Sequence, residues 1–184
     1  MKILITGGAG YIGSILTETL LNKNHEITVL DNLQYKQLSL AGFCANTNFN
    51  FIHGDVRDKK LLEKYVKEND VIIPLAAVVG MPACKANPQA TIDINLNQIK
   101  DIVSFVKNDN SKRVILPNTN SQYGSSTEII TEDSPFKPLS LYAETKCDAE
   151  KALLDGGNGV ALRLATVFGM SYRMRMDLLV NDLV

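Results

Sequence analysis

Gly7-Gly8-Ala9-Gly10-Tyr11-Ile12-Gly13 follows the short apolar run Lys2–Thr6 and opens a stretch of helical period, Tyr11–Lys23. Glycines at such a strand-to-helix junction let backbone amides approach a pyrophosphate, and the helix N-terminus adds partial positive charge. Gly7, Gly10 and Gly13 form a G-x-x-G-x-x-G variant of the commoner G-x-G-x-x-G spacing, with Tyr11 and Ile12 in the same turn. Asp31 ends the next apolar run, where a carboxylate can accept hydrogen bonds from an adenosine ribose. It would repel a 2′-phosphate, and the adjoining Asn32 and Leu33 bring no arginine to receive one. The pattern therefore selects NAD over NADP.

Outward from this turn the same alternation continues. Apolar runs at Lys2–Thr6, Glu26–Leu30, Phe49–His53, Asp70–Leu75, Lys112–Leu116 and Val160–Leu164 predict six strands, several apolar on both faces as buried parallel strands are. Stretches of helical period at Tyr11–Lys23, Lys59–Lys67, Ala90–Asn108 and Leu141–Leu154 predict the crossover helices. The fold class that follows is α/β, a Rossmann-type doubly wound parallel sheet with helices on both faces. Gly124–Leu139, with Ser125, Ser126, Pro135 and Pro138, reads as a loop.

The chain's 184 residues suit one domain with a sizeable core. Nineteen basic against 20 acidic residues leave a formal charge of -1, so no broad positive field is available to a nucleic-acid backbone. Cys44, Cys84 and Cys147 are far apart and odd in number, which indicates neither a disulfide framework nor a zinc site and fits a reducing cytoplasm. No metal site is expected. The apolar run at Ile3–Ile5 is too short for a signal peptide or a membrane span, so no membrane partner is expected either.

Tyr142 and Lys146 stand four apart on a predicted helix and share one face. An unperturbed tyrosine ionises near ~10, and a neighbouring ammonium favours the phenolate, which suits proton exchange with a sugar hydroxyl. In isolation such a pair is commonplace on helix surfaces. Here it shares a chain with a nucleotide turn, and Thr119-Asn120-Ser121 follows the fifth predicted strand. Either Thr119 or Ser121 is placed to polarise the reacting oxygen.

Taken in order, Thr6–Gly13, Asp31-Asn32-Leu33, Gly54-Asp55-Val56, Leu75-Ala76-Ala77, Gln122-Tyr123-Gly124 and Tyr142-x-x-x-Lys146 resemble the extended short-chain dehydrogenase/reductases, within them the nucleotide-sugar epimerases and dehydratases. The resemblance runs from Lys2 to about Gly169 and implies NAD in a Rossmann domain with a nucleotide-sugar substrate. It implies that Asp55 and Val56 meet the adenine, that Leu75, Ala76 and Ala77 line the cofactor with Tyr142 and Lys146, and that Asn95 supports the site. It implies Thr119 as the hydroxyl beside Tyr142, with Ser121 the second choice. Asn120-Ser121 replaces the Asp-Glu pair of the family's dehydratases, which argues against a 4,6-dehydratase. Pro74 and Thr166 replace a common His and a diphosphate-binding Asn. Pro117–Ser121 and Arg163–Gly169 resemble a subgroup that includes nucleotide-heptose 4-dehydrogenases.

The expected organisation is an NAD-binding domain over residues 1–169 and, from 170 to 184, the start of a substrate-binding region. Asp177–Val184 reads as the beginning of a helix without a stop signal, as if the chain were cut short. The expected activity is NAD-dependent hydride transfer at C4 of a nucleotide-sugar by an epimerase or a dehydrogenase, in a homodimer. The alternative is a non-catalytic NAD-binding module or fragment.

Overall fold

A computed structural model describes residues 1–183. The elements in chain order are β1 (Lys2–Thr6), α1 (Tyr11–Asn22), β2 (Glu26–Asp31), β3 (Phe49–His53), α2 (Lys59–Glu68), β4 (Val71–Pro74), α3 (Met81–Ala86), α4 (Pro88–Ile92), α5 (Gln98–Val106), β5 (Arg113–Thr119), α6 (Leu141–Gly156), β6 (Gly159–Leu164) and α7 (Leu179–Asp182). The strands form one parallel sheet in the order β3-β2-β1-β4-β5-β6. The order in which the strands are added reverses between β1 and β4, and the crevice at such a switch point is where open α/β sheets take their ligands.

Strand alternation divides the core between two faces. Ile3, Ile5, Ile27 and Val29 pack with Leu21 of α1 on one side, while Leu4, Leu30, Ile72, Val114 and Leu116 pack with α2, α5 and α6 on the other. Burying these side chains contributes roughly 1.5–3 kcal/mol each. Helices therefore cover both faces, as the sequence pattern requires. Val160 and Leu162, on the α1 side of β6, stay 49% and 44% exposed.

Local signals start the helices. Asp58 Oδ1 accepts hydrogen bonds from the Lys60 and Leu61 amides, both at 3.1 Å, and caps α2. Ser140 Oγ accepts from the Ala143 amide at 3.2 Å and caps α6.

Three elements differ from the sequence expectation. β5 runs on past Leu116 to Thr119. The break expected at Pro117 does not occur because β5 pairs with β4 only at Val71 and Ile72, whereas its pairing with β6 extends to Thr119. The missing proline N–H faces the β4 side, where no partner is waiting. The single helix expected over Ala90–Asn108 is instead α4, a π-helical turn at Asp93–Asn97 and α5 in succession, with α3 before them. The last helix spans only Leu179–Asp182 instead of Asp177–Val184, and Val184 lies outside the described residues.

Candidate dinucleotide and sugar site

The glycine turn is built by close approach. Gly7 has φ +70°, and a Cβ there would stand 2.5 Å from the Ala76 backbone nitrogen. A Cβ at Gly13 would stand 2.6 Å from the Gly8 Cα, so the absence of a side chain there lets α1 seat against the turn. Asp31 holds the turn from β2. Its Oδ2 accepts from the Ala9 amide at 3.0 Å and its Oδ1 from the Leu33 amide at 2.8 Å.

A cavity of about 420 Å³ opens beside this turn at the strand ends, lined by Gly7, Gly10, Asp31, Asn32, Asp55, Val56 and Leu75–Ala77. Arg57 joins them, a cation that no motif of the sequence marks and that the loop after β3 brings to the cleft. Its Nε and Nη2 donate to Asp55 at 2.9 and 2.7 Å, and Asn32 Nδ2 donates to the same carboxylate at 3.3 Å. The Arg57 hydrogen bonds, opposed by partial burial, hold the Asp55 carboxyl down at about 2.

The strand-end segment is clamped from behind. Thr6 Oγ1 donates to Gln98 Oε1 at 2.7 Å, and Gln98 Nε2 donates to the Ala76 carbonyl at 3.2 Å. Asn95, projected inward from the π-helical turn, accepts from the Val78 amide at 2.8 Å and donates to its carbonyl at 3.0 Å. Asn95 thus spends its side chain on holding Val78, a wall residue of this cavity, and neither Asn95 nor Gly13 lines the cavity itself.

A second cavity of about 290 Å³ shares Leu75 and Ala77 with the first and is lined by Tyr11, Ile12, Asn118, Thr119, Tyr142, Lys146, Thr166 and Arg175. Tyr142 and Lys146 project from the first turns of α6, and Thr119 ends β5. Burial raises the Tyr142 pKa, with Thr119 and the Arg175 cation lowering it and Cys84 raising it further. Burial also pushes the Lys146 ammonium down to about 8, against the pull of Glu150. Lys146 Nζ donates to the Pro117 carbonyl at 3.0 Å. Ser121 is exposed and outside this cavity; Thr119 Oγ1 caps the turn that follows β5 by accepting from the Ser121 amide at 3.1 Å, and it donates to Ser121 Oγ at 3.1 Å.

The terminal segment crosses the start of α1. Tyr11 donates its hydroxyl to the Gly169 carbonyl at 2.6 Å and accepts from Asn181 Nδ2 at 3.0 Å. Ser171 Oγ donates to the Tyr11 carbonyl at 2.6 Å, and Arg173 lies over the Tyr35 ring at 4.2 Å. These anchors carry Arg175 into the second cavity, a placement without a periodic signal in the sequence. Among the described residues no group of three or more His, Cys, Asp or Glu side chains is arranged to hold a metal ion, and no helix is long and apolar enough to cross a membrane.

Known proteins share this fold. The chain is 33% identical over 175 residues to a putative UDP-glucose 4-epimerase of Methanocaldococcus jannaschii, a match covering 91% of this chain and 56% of that protein. The UDP-glucuronic acid 4-epimerase of Bacillus cereus, solved with UDP-glucuronic acid and NAD, gives a TM-score of 0.87 at 29% identity, over 100% of this chain and 62% of that one. The dTDP-glucose 4,6-dehydratase of Bacillus anthracis, solved with NAD, gives 0.85 at 26% identity, over 100% of this chain and 60% of that one. The chain spans about half the length of the curated relatives it matches. A family model matches residues 3–182, taking in the glycine turn, the Tyr142 cavity and the terminal segment together, and the chain accordingly belongs to the NAD dependent epimerase/dehydratase family.

Proposed function

We propose that this chain is the NAD-binding and catalytic part of an enzyme that oxidises C4 of a nucleotide-sugar. The observation that carries the reading is the meeting of Tyr142, Lys146 and Thr119 in a cavity that shares a wall with the cleft beside the glycine turn. The cleft suits a dinucleotide, because Gly7 and Gly10 bare the backbone at the start of α1 and Asp31 lines the cleft at the end of β2. Gly7, Gly10 and the first turn of α1 would hold the pyrophosphate, Asp31 the adenosine ribose, and Asp55 with Val56 the adenine.

NAD, when bound, supplies the hydride acceptor. Thr119 Oγ1 orients the sugar hydroxyl, and Tyr142 takes its proton as the carbon is oxidised. Lys146 stabilises the phenolate. Return of the hydride to the opposite face makes an epimerase, and its departure with the cofactor makes a dehydrogenase. Asn120-Ser121 beside Thr119 leaves no carboxylate pair for eliminating water, which disfavours a dehydratase. Residues 170–184 begin the substrate-binding region. The three free cysteines fit a reducing cytoplasm, and a homodimer is the expected assembly, which sedimentation velocity checks.

The test is Tyr142→Phe, assayed for turnover of nucleotide-sugars and, in parallel, for NAD affinity. General acid–base catalysis contributes roughly 10²- to 10⁴-fold, so turnover falls by about that factor while NAD binds as before. Turnover preserved in the variant would remove Tyr142 from the mechanism. NAD binding by a chain that turns over no nucleotide-sugar, even in its longest natural form, would instead favour a non-catalytic module.

A further inference from the structure

Glu150 follows Lys146 by one turn on the inner face of α6 and is 2% exposed. A carboxylate buried so deeply is costly unless it is paired and hydrogen-bonded. Its Oε1 accepts from Arg163 Nε at 2.9 Å and Nη2 at 2.6 Å, and its Oε2 accepts from Asn118 Nδ2 at 2.6 Å. The Asn118 amide also donates to the Lys146 carbonyl at 3.2 Å. Asn118 immediately precedes Thr119 on β5 and lines the Tyr142 cavity with it. Arg163 extends the network from β6: its Nη1 donates to the Tyr123 hydroxyl and to the Glu132 carbonyl, both at 2.6 Å. The guanidinium also lies over the Phe136 ring at 4.8 Å. One carboxylate therefore joins α6, the ends of β5 and β6, and the 124–139 loop.

We propose that Glu150 is the positioning residue of Lys146: through Asn118 and Arg163 it locks α6 onto the ends of β5 and β6, so that the ammonium meets the Pro117 carbonyl. The proposal rests on the functional reading above for the importance of Lys146, but not for the coupling itself. The groups that face Lys146 are Tyr142 and Glu150 on α6, the Pro117 carbonyl on β5, Arg163 of β6 through Glu150, and Arg175 across the cavity. Glu150 is the single carboxylate among them. The direction of its influence agrees, since burial pulls the Lys146 pKa down to about 8 and Glu150 pulls it up.

Glu150→Gln keeps the volume and removes the charge: its carbonyl oxygen can still accept from Arg163, while its amide nitrogen meets Asn118 Nδ2 donor to donor, so the tie to Asn118 is lost as well. In the 184-residue chain, without cofactor or sugar, the side-chain carbon resonance of isotopically labelled lysine is followed against pH, and the Lys146 signal is assigned by its loss in Lys146→Met. The titration midpoint moves down by about one pH unit in Glu150→Gln, as expected for removal of a nearby opposite charge, and returns in Glu150→Asp. A folded Glu150→Gln whose Lys146 midpoint coincides with wild type overturns the proposal. Should that variant not fold, Asn118→Ser cuts the tie between Glu150 and the Lys146 backbone while leaving the Glu150–Arg163 pair intact: the midpoint falls as the ammonium leaves the Pro117 carbonyl, and an unmoved midpoint overturns the proposal equally. Neither measurement depends on turnover, so failure of the nucleotide-sugar reading leaves the result interpretable.

Discussion

At the residue scale, Asp31 already accepts from two backbone amides, Ala9 and Leu33, and its carboxylate lies at the mouth of the dinucleotide cleft. A 2′-phosphate placed there would face that negative charge directly. Titration calorimetry is expected to give tighter binding of NAD than of NADP, and Asp31→Asn to narrow the difference while weakening NAD. Equal affinities for the wild type would remove Asp31 from cofactor choice and turn attention to Arg57, which lines the same cleft but is held by Asp55. Arg57 shows what sequence reading overlooks at this scale. Asn32 and Leu33 bring no arginine, yet the loop after β3 delivers one to the same cleft.

At the scale of elements, the strand-to-helix turn works because β1 and α1 approach with no side chain between them. Gly13→Ala places a methyl 2.6 Å from the Gly8 Cα and 2.7 Å from the Gly7 carbonyl oxygen, and backbone atoms cannot yield as a flexible side chain would. Overpacking of this kind costs roughly 1–3 kcal/mol. For a domain of this size, at roughly 2–4 °C per kcal/mol, the melting temperature should fall by roughly 2–12 °C, with NAD affinity falling too because the turn itself is displaced. Gly42→Ala is the control, since a Cβ there meets nothing within 4 Å. Thermal melts and NAD titration of both variants decide it, and an unshifted Gly13→Ala would show that α1 can slide away from the turn. The π-helical turn and α3 make the complementary point. They set Asn95 and Cys84 against the Val78 carbonyl, but neither has the repeated apolar spacing that announces a helix.

At the scale of the whole molecule, the terminal segment is bound back onto α1 through Tyr11, whose hydroxyl joins Gly169 and Asn181. Tyr11→Phe removes both bonds while keeping the ring. At about 1 kcal/mol for each bond, amide exchange across 169–181 should quicken by roughly 5- to 30-fold while the sheet keeps its protection. Hydrogen-exchange mass spectrometry reads this directly, and unchanged exchange in 169–181 would mean that Ser171 and Tyr172 hold the segment without Tyr11. The sequence by itself determined the sheet, the helices on both faces and the dinucleotide turn, because strand and helix periods and a glycine spacing are local patterns that few folds satisfy. It also marked Asp31, Tyr142 and Lys146 as candidates by residue type and position, and left Thr119 and Ser121 as alternatives between which the family resemblance favours Thr119. The tertiary structure alone decided that Thr119 ends a strand, since only the sheet shows that Pro117 faces an unpaired edge. It alone joined Tyr11 to Asn181 and Glu150 to Asn118 and Arg163. Such contacts pair single side chains from distant segments, and no periodicity along the chain encodes which of them will meet.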